Sequence, residues 1–197
     1  MGLVFALKNW YIATFMSVIK KKEVVRKKKP KMRTDEDTNF KIGDKAVYPA
    51  YGVGQIERID EKEIAGTIMS FYVVRILDSE MTLMVPVNGV KNVGLRRLIK
   101  ASQVKRVFDV FKENDVVIDT TTWNRRQREY NEKIKTGSVF EIAEVMRDLY
   151  VLKKDKTLSF GERSMMDKAR TLLIKELAIA KESDEESIEK KIEKFFE

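Results

Sequence analysis

The stretch "TTWNRRQREYNEK", Thr121 to Lys133, sets one of the chain's two tryptophans between threonines and a run of arginines. Guanidinium groups neutralise phosphates, and backbone amides at a helix start face anions. Such contacts hold a nucleic acid without reading its sequence. An exposed indole beside them adds a different capability, because it can stack on an unstacked base or wedge into a distorted duplex. Trp123, Asn124, Arg125, Arg126 and Arg128 are therefore the candidate nucleic-acid contacts. The arginines alone are a weak signal, whereas arginines together with a tryptophan at a helix start are a stronger one.

The composition narrows the remaining chemistry. The 197 residues contain no cysteine and no histidine. That excludes disulfides, thiolate nucleophiles, Cys/His zinc sites and imidazole-based triads. No EF-hand spacing occurs, and no constellation for lysine or serine catalysis is found. The expectation is a binding protein: not an enzyme, without cofactor or metal, and without a small-molecule substrate. The net charge is +8, from 39 Lys/Arg against 31 Asp/Glu, and it is unevenly placed. Residues 1–38 carry ten basic and four acidic side chains, and residues 89–135 carry twelve and six. Residues 182–197 carry seven acids and three lysines, an end that would repel DNA.

Several elements must position the candidate contacts. Thr121 or Thr122 can cap a helix that begins near Trp123. Trp123, Tyr130 and Ile134 are seven and four apart and share one helical face. Tyr130 and Ile134 are expected to pack on a helical core. Trp123 has two readings: packed on the bundle with them, or projecting from its end. Further helices are marked by Val104, Val107, Phe108 and Phe111 at helical spacing, and by Ser–x–x–Glu capping boxes at Ser138/Glu141 and Ser159/Glu162. A last helix is expected to open at Ser183/Glu186 and to end in Phe195–Phe196. Before residue 88 the period is two. "DKAVYPAYGVGQIERI", "TIMSFYVVRIL" and "EMTLMVPV" read as short strands punctuated by Gly and Pro, with Asp78–Ser79 as a turn.

The predicted fold class is thus α+β: a small antiparallel barrel of the Tudor/SH3 kind over 39–88, a helical bundle over 89–182, and an acidic helix or tail over 183–197. Residues 1–38 are read as an extension, with the working start expected near Met32. Their apolar run is interrupted by Lys8 and Asn9, so it makes a poor membrane span.

The blocks "FKIGDKAVYPAYGVGQIERI", "MVPVNGVKNVGLRRLI", "TTWNRRQREYNEKIKTGSVFEIAEVMRDLY" and "LSFGERSMMDKARTLLIKELAIA", in that order, resemble the CarD/CdnL family of bacterial transcription regulators. The resemblance covers about residues 39–182. It implies a Tudor-like domain, shared with the transcription-repair coupling factor, that binds the β subunit of RNA polymerase. It also implies a helical domain that binds promoter DNA at the upstream edge of the transcription bubble. There Trp123 would wedge into the minor groove while Arg125, Arg126 and Arg128 contact the backbone, and the open complex would be stabilised. Lys62 matches a polymerase-contacting basic position. Met84 stands where another member carries arginine; an exposed Met84 could still pack on the polymerase and a buried one could not. The implied protein is a cytoplasmic monomer without membrane association. The alternatives from other classes are a generic RNA-binding module with a Tudor-like barrel and a membrane-tethered interaction protein.

Overall fold

The computed structural model describes residues 39–113 and 122–196. The extension expected over 1–38 and the candidate cap Thr121 lie outside the described residues. Among the described residues, no helix is long and apolar enough to cross a membrane.

The N-terminal part is a five-stranded antiparallel sheet. Its strands are β1 (Lys45–Tyr48), β2 (Gly52–Ile64), β3 (Thr67–Ile76), β4 (Thr82–Pro86) and β5 (Arg96–Arg97), in the order β4-β3-β2-β1-β5. Tyr72, Val74 and Ile76 point into a small core with Phe40, Ala46, Ile56, Val85, Val90 and Leu95, while Phe71 and Val73, which alternate with them along β3, are buried too. Phe40 meets Tyr72 edge-on at 5.8 Å, and its amide donates to the Tyr72 hydroxyl. The register of β2 against β3 shifts between Ile56 and Arg58, a bulge that keeps Ile56 inside while Arg58 turns out. Asp78–Ser79 lies in the turn between β3 and β4, as expected.

The sheet does not stop at residue 88. A single 3-10 turn (Val87–Gly89) and a short helix α1 (Val90–Val93) lead into β5, which pairs with β1 through Ala46–Arg97 and Val47–Arg96. The β unit therefore runs past the expected boundary. A two-residue strand shows no alternation to read, and Leu95 and Val90 complete the barrel core rather than the bundle.

Among the described residues, five helices follow: α2 (Ala101–Phe111), α3 (Trp123–Thr136), α4 (Val139–Asp155), α5 (Phe160–Lys181) and α6 (Glu185–Glu193). Val104, Val107, Phe108 and Phe111 are all buried, as their spacing predicts. Helix α4 buries residues all round, Ile142 and Val145 as well as Ala143, Met146 and Leu149, so it is the centre of the bundle. Ser159 and Glu162 make the full reciprocal capping box. Ser138 caps α4 through the Glu141 amide, but the Glu141 carboxylate turns instead to the Thr136 hydroxyl at 2.7 Å. The cap of α6 is Asp184, which accepts from the Ser187 amide, rather than Ser183. The acidic end is no loose tail. Ile188 and Ile192 are buried, and Phe196 stacks on Tyr150 at 4.4 Å while Phe195 stacks on Phe111.

A buried clasp joins the sheet to the bundle. Arg96 on β5 makes a two-pronged pair with Glu176 on α5, at 2.5 and 2.8 Å, and donates from Nε to the Gly137 carbonyl at 2.8 Å. Glu176 also accepts from the Ile99 amide at 3.1 Å. Beside the clasp, Pro49 sits between Gly94 and Gly137, the left-handed residues that end α1 and α3. A Cβ on either glycine would stand 3.0 Å from the proline ring, so both positions need glycine for space as well as for backbone conformation. At the far end of the contact, Lys175 pairs with Asp78 of the β3–β4 turn.

Candidate nucleic-acid interface

Helix α3 starts at Trp123 with Thr122 in the cap position, although the threonine hydroxyl makes no capping bond. Its inward stripe is Trp123, Arg126, Tyr130 and Ile134, spaced three, four and four residues. Tyr130 and Ile134 are buried at 2% and 1% exposure, as expected from their shared face. Burial pushes the Tyr130 phenol up, and the nearby Asp148 carboxylate adds to the shift, so it stays protonated. Trp123 falls between its two readings: it packs against the helical core yet keeps part of its surface open.

Arg126 corrects the sequence reading. It is 6% exposed, and its guanidinium donates to Glu162 at 2.6 Å. A side chain buried in that pair is a support inside the bundle, not an outward phosphate contact. Its place on the Trp123–Tyr130–Ile134 stripe was a readable signal, masked by the run of arginines around it. Asn124, Arg125 and Arg128 are exposed, on the outward side of the same helix start.

Glu162 is the hub of this end of the bundle. One carboxylate oxygen accepts from Arg126 and from Lys156 Nζ at 2.9 Å, and the other accepts from the Ser159 amide at 2.9 Å. Burial alone would raise this carboxyl. The bonds from the Ser159 amide, Lys156, the Ser159 hydroxyl and Arg126 outweigh it and hold the pKa at about 2. The Arg126 guanidinium carbon lies 6.0 Å from the Trp123 ring centre, a cation–π distance. Trp123 also lies against Gly161 in the first turn of α5. Next to Gly161, Phe160 is 81% exposed, and Arg163 is exposed one turn on. The end of the bundle thus carries the exposed Phe160 and the partly open Trp123 together with the exposed Arg125, Arg128, Lys156 and Arg163, and the Glu162 carboxylate accepts from both Arg126 and Lys156. Phe160, Gly161, Glu162 and Lys156 were missed as parts of this surface. A glycine in the first turn of a strong helix, in "LSFGER", was the available hint.

On the sheet, the register places Lys62 opposite Met69 and Met84 opposite Val73. Met69, Phe71 and Val73 alternate along β3, so Lys62 and Met84 share one face, the one opposite Tyr72 and Val74. They are set four β3 positions apart, about 13 Å along the strand. Lys62 is exposed, and Met84 is exposed at 39%. The side chain that departs from the basic pattern therefore remains available for apolar packing. Among the described residues, no cluster of carboxylates could hold a metal ion.

Comparison with known proteins assigns both parts of the chain. Residues 40–99 match the family model for the CarD-like/TRCF RID domain, and residues 106–193 match that for the CarD C-terminal domain. The chain is 38% identical over 151 residues to YdeB of Bacillus subtilis (strain 168), named as a candidate transcription factor, covering 76% of this chain and 97% of that protein. The chain belongs to the CarD/CdnL family. It is also similar to the solved structure of CdnLNt from Myxococcus xanthus, with 49% identity over 36% of this chain and 94% of that chain, at a TM-score of 0.28. As a CarD-like transcription factor, the chain carries the family's Tudor-like β domain on strands β1–β5 and its C-terminal domain on the helices. The first matched region ends after β5, which agrees with the sheet running past residue 88.

Proposed function

We propose that this CarD/CdnL-family protein binds the β subunit of RNA polymerase through its sheet and promoter DNA at the upstream bubble edge through its bundle. The consequence is a longer-lived open promoter complex. The observation that carries this reading is Trp123: an indole fixed at the outer end of the bundle, beside the exposed Asn124, Arg125 and Arg128. The arginines hold phosphates, and the indole enters the minor groove where the bases unstack. The Lys62–Met84 face of the sheet supplies the polymerase contact, with a cation and an exposed methionine on one face.

The test is the lifetime of open complexes at a promoter that melts slowly. Trp123→Ala is expected to shorten the lifetime gained from the wild-type protein about tenfold or more, equivalent to at least about 1.4 kcal/mol. Its thermal stability should stay close to that of wild type, because the indole is only partly buried. An unchanged lifetime with a folded variant would refute the wedge.

The exposed and buried arginines should also separate. Affinity for duplex is expected to be weak and to fall with salt. Arg125→Gln or Arg128→Gln should each flatten the log–log slope by about 0.9. Arg126→Gln should leave the slope in place and lower the melting temperature instead. Salt titration by fluorescence anisotropy, paired with thermal unfolding, distinguishes the two classes.

A further inference from the structure

Gly161 meets Trp123 more closely than a side chain would allow. A Cβ built on Gly161 would stand 2.7 Å from the indole Nε1 and 3.0 Å from both Cε2 and Cζ2. Real carbons do not approach so closely, so any other residue at 161 must push the ring away. A second constraint comes from Arg126, whose guanidinium is itself fixed by Glu162. The indole therefore lies against helix backbone at Gly161 and within cation–π distance of an anchored guanidinium. Gly161 lies in the first turn of α5, and Glu162 is the N3 residue of its capping box, so one helix start supplies the close backbone contact and the anchor of the cation.

We propose that Gly161 is a positioning residue for the DNA-facing tryptophan. By lacking a side chain, it sets where the indole of Trp123 stands before any nucleic acid arrives. This rests on the reading of Trp123 as the wedge and deepens it. A ring already held in place loses little freedom on binding, whereas a loose ring must be ordered at that moment. A glycine in a helix is otherwise a local cost, since alanine there would favour the helix. The cost is explained if the space is needed by the ring. Because Trp123 is partly open to solvent, a Cβ at 161 can be relieved by swinging the indole outward. The effect should fall on the ring's placement and not on folding.

The experiment compares Gly161→Ala and Gly161→Val with wild type, each also combined with Trp123→Ala. In a Trp10→Phe background, Trp123 is the sole tryptophan, so its fluorescence reports its surroundings. The expected result is a red-shifted emission, greater access to iodide, and an open-complex lifetime reduced toward that of Trp123→Ala, with the melting temperature unchanged or raised for alanine. In the Trp123→Ala background the same substitutions should cause no further loss of lifetime. Two results would overturn the proposal. One is emission, quenching and lifetime all at wild-type values in Gly161→Val. The other is an equal loss of lifetime with and without Trp123, which would mean that Gly161 acts on its own. If wild type and Trp123→Ala give the same lifetime, the wedge reading fails, and the emission and quenching still decide whether Gly161 places the ring.

Discussion

Glu176→Ala is expected to destabilise the protein by about 3–5 kcal/mol and to loosen the sheet from the bundle. Glu176 is 1% exposed and satisfies three donors: both prongs of Arg96 and the Ile99 amide. Its removal leaves a guanidinium, itself only 12% exposed, facing a hole. A buried cation without its counter-charge is the costly situation; the intact pair contributes much less, because both ions gave up water to form it. The double replacement Arg96→Met with Glu176→Leu should therefore recover most of the loss, since neither ion remains to be stranded. Chemical unfolding of the three variants measures the comparison. If Glu176→Ala costs less than about 1 kcal/mol, the clasp does not bind the two parts together.

Glu162→Ala is the companion case at the other end of α5. It removes the carboxylate that the buried Arg126 donates to, releases Lys156 and removes half of the capping box, so about 3–5 kcal/mol is again expected. Here pH gives an independent handle. The Glu162 carboxyl titrates at about 2 in the folded protein against an ordinary 4.5. A depressed folded pKa means that its contribution is complete above about pH 4.5 and is lost as pH falls toward 2. At most about 3.4 kcal/mol is involved, at 1.36 kcal/mol per pH unit. Wild type should lose this stability between about pH 5 and pH 2, and Glu162→Gln should show a shallower decline over the same window. Parallel curves would mean that the carboxylate is not the titrating support. Because Arg126 flanks Trp123, Glu162→Ala should also disturb tryptophan emission, which Glu176→Ala should not.

Much of this was legible in the sequence, and most of what was not shares one cause. The density of β-branched and aromatic residues in "TIMSFYVVRIL" marked a strand, and helical spacing marked Phe108, Phe111, Tyr130 and Ile134, because burial in a helix repeats with the period of the backbone. Ser159 and Glu162 were recognisable as a capping box for the same local reason. What stayed hidden were pairings across long separations. Glu162 reads as a cap, and only the fold shows that it also holds Arg126 from 36 residues away. Glu176 reads as a solvated residue among leucines until Arg96, 80 residues earlier, is brought against it. Charged residues carry no mark of their partners, so runs such as "NRRQR" look uniformly outward. Here one of the arginines turns in. The β5 strand and the Asp184 cap were missed for a simpler reason, being too short or too close to an equally plausible neighbour.

If the sheet binds polymerase and the bundle binds DNA, as proposed, the clasp around Arg96, Pro49 and Gly137 also makes the protein a measuring device. With sheet and bundle held as one body, the Lys62–Met84 face and the indole of Trp123 stand at a set separation. A polymerase held by one face would then present the tryptophan to a fixed address on the DNA, counted from the enzyme and not from the base sequence. Tethering of this kind raises local concentration only where the span fits. Weak intrinsic affinity for duplex then becomes an asset, because the address comes from the body's length and stray DNA is released. Lengthening the junction by a few flexible residues after Arg97 would keep both binding faces and blur the address.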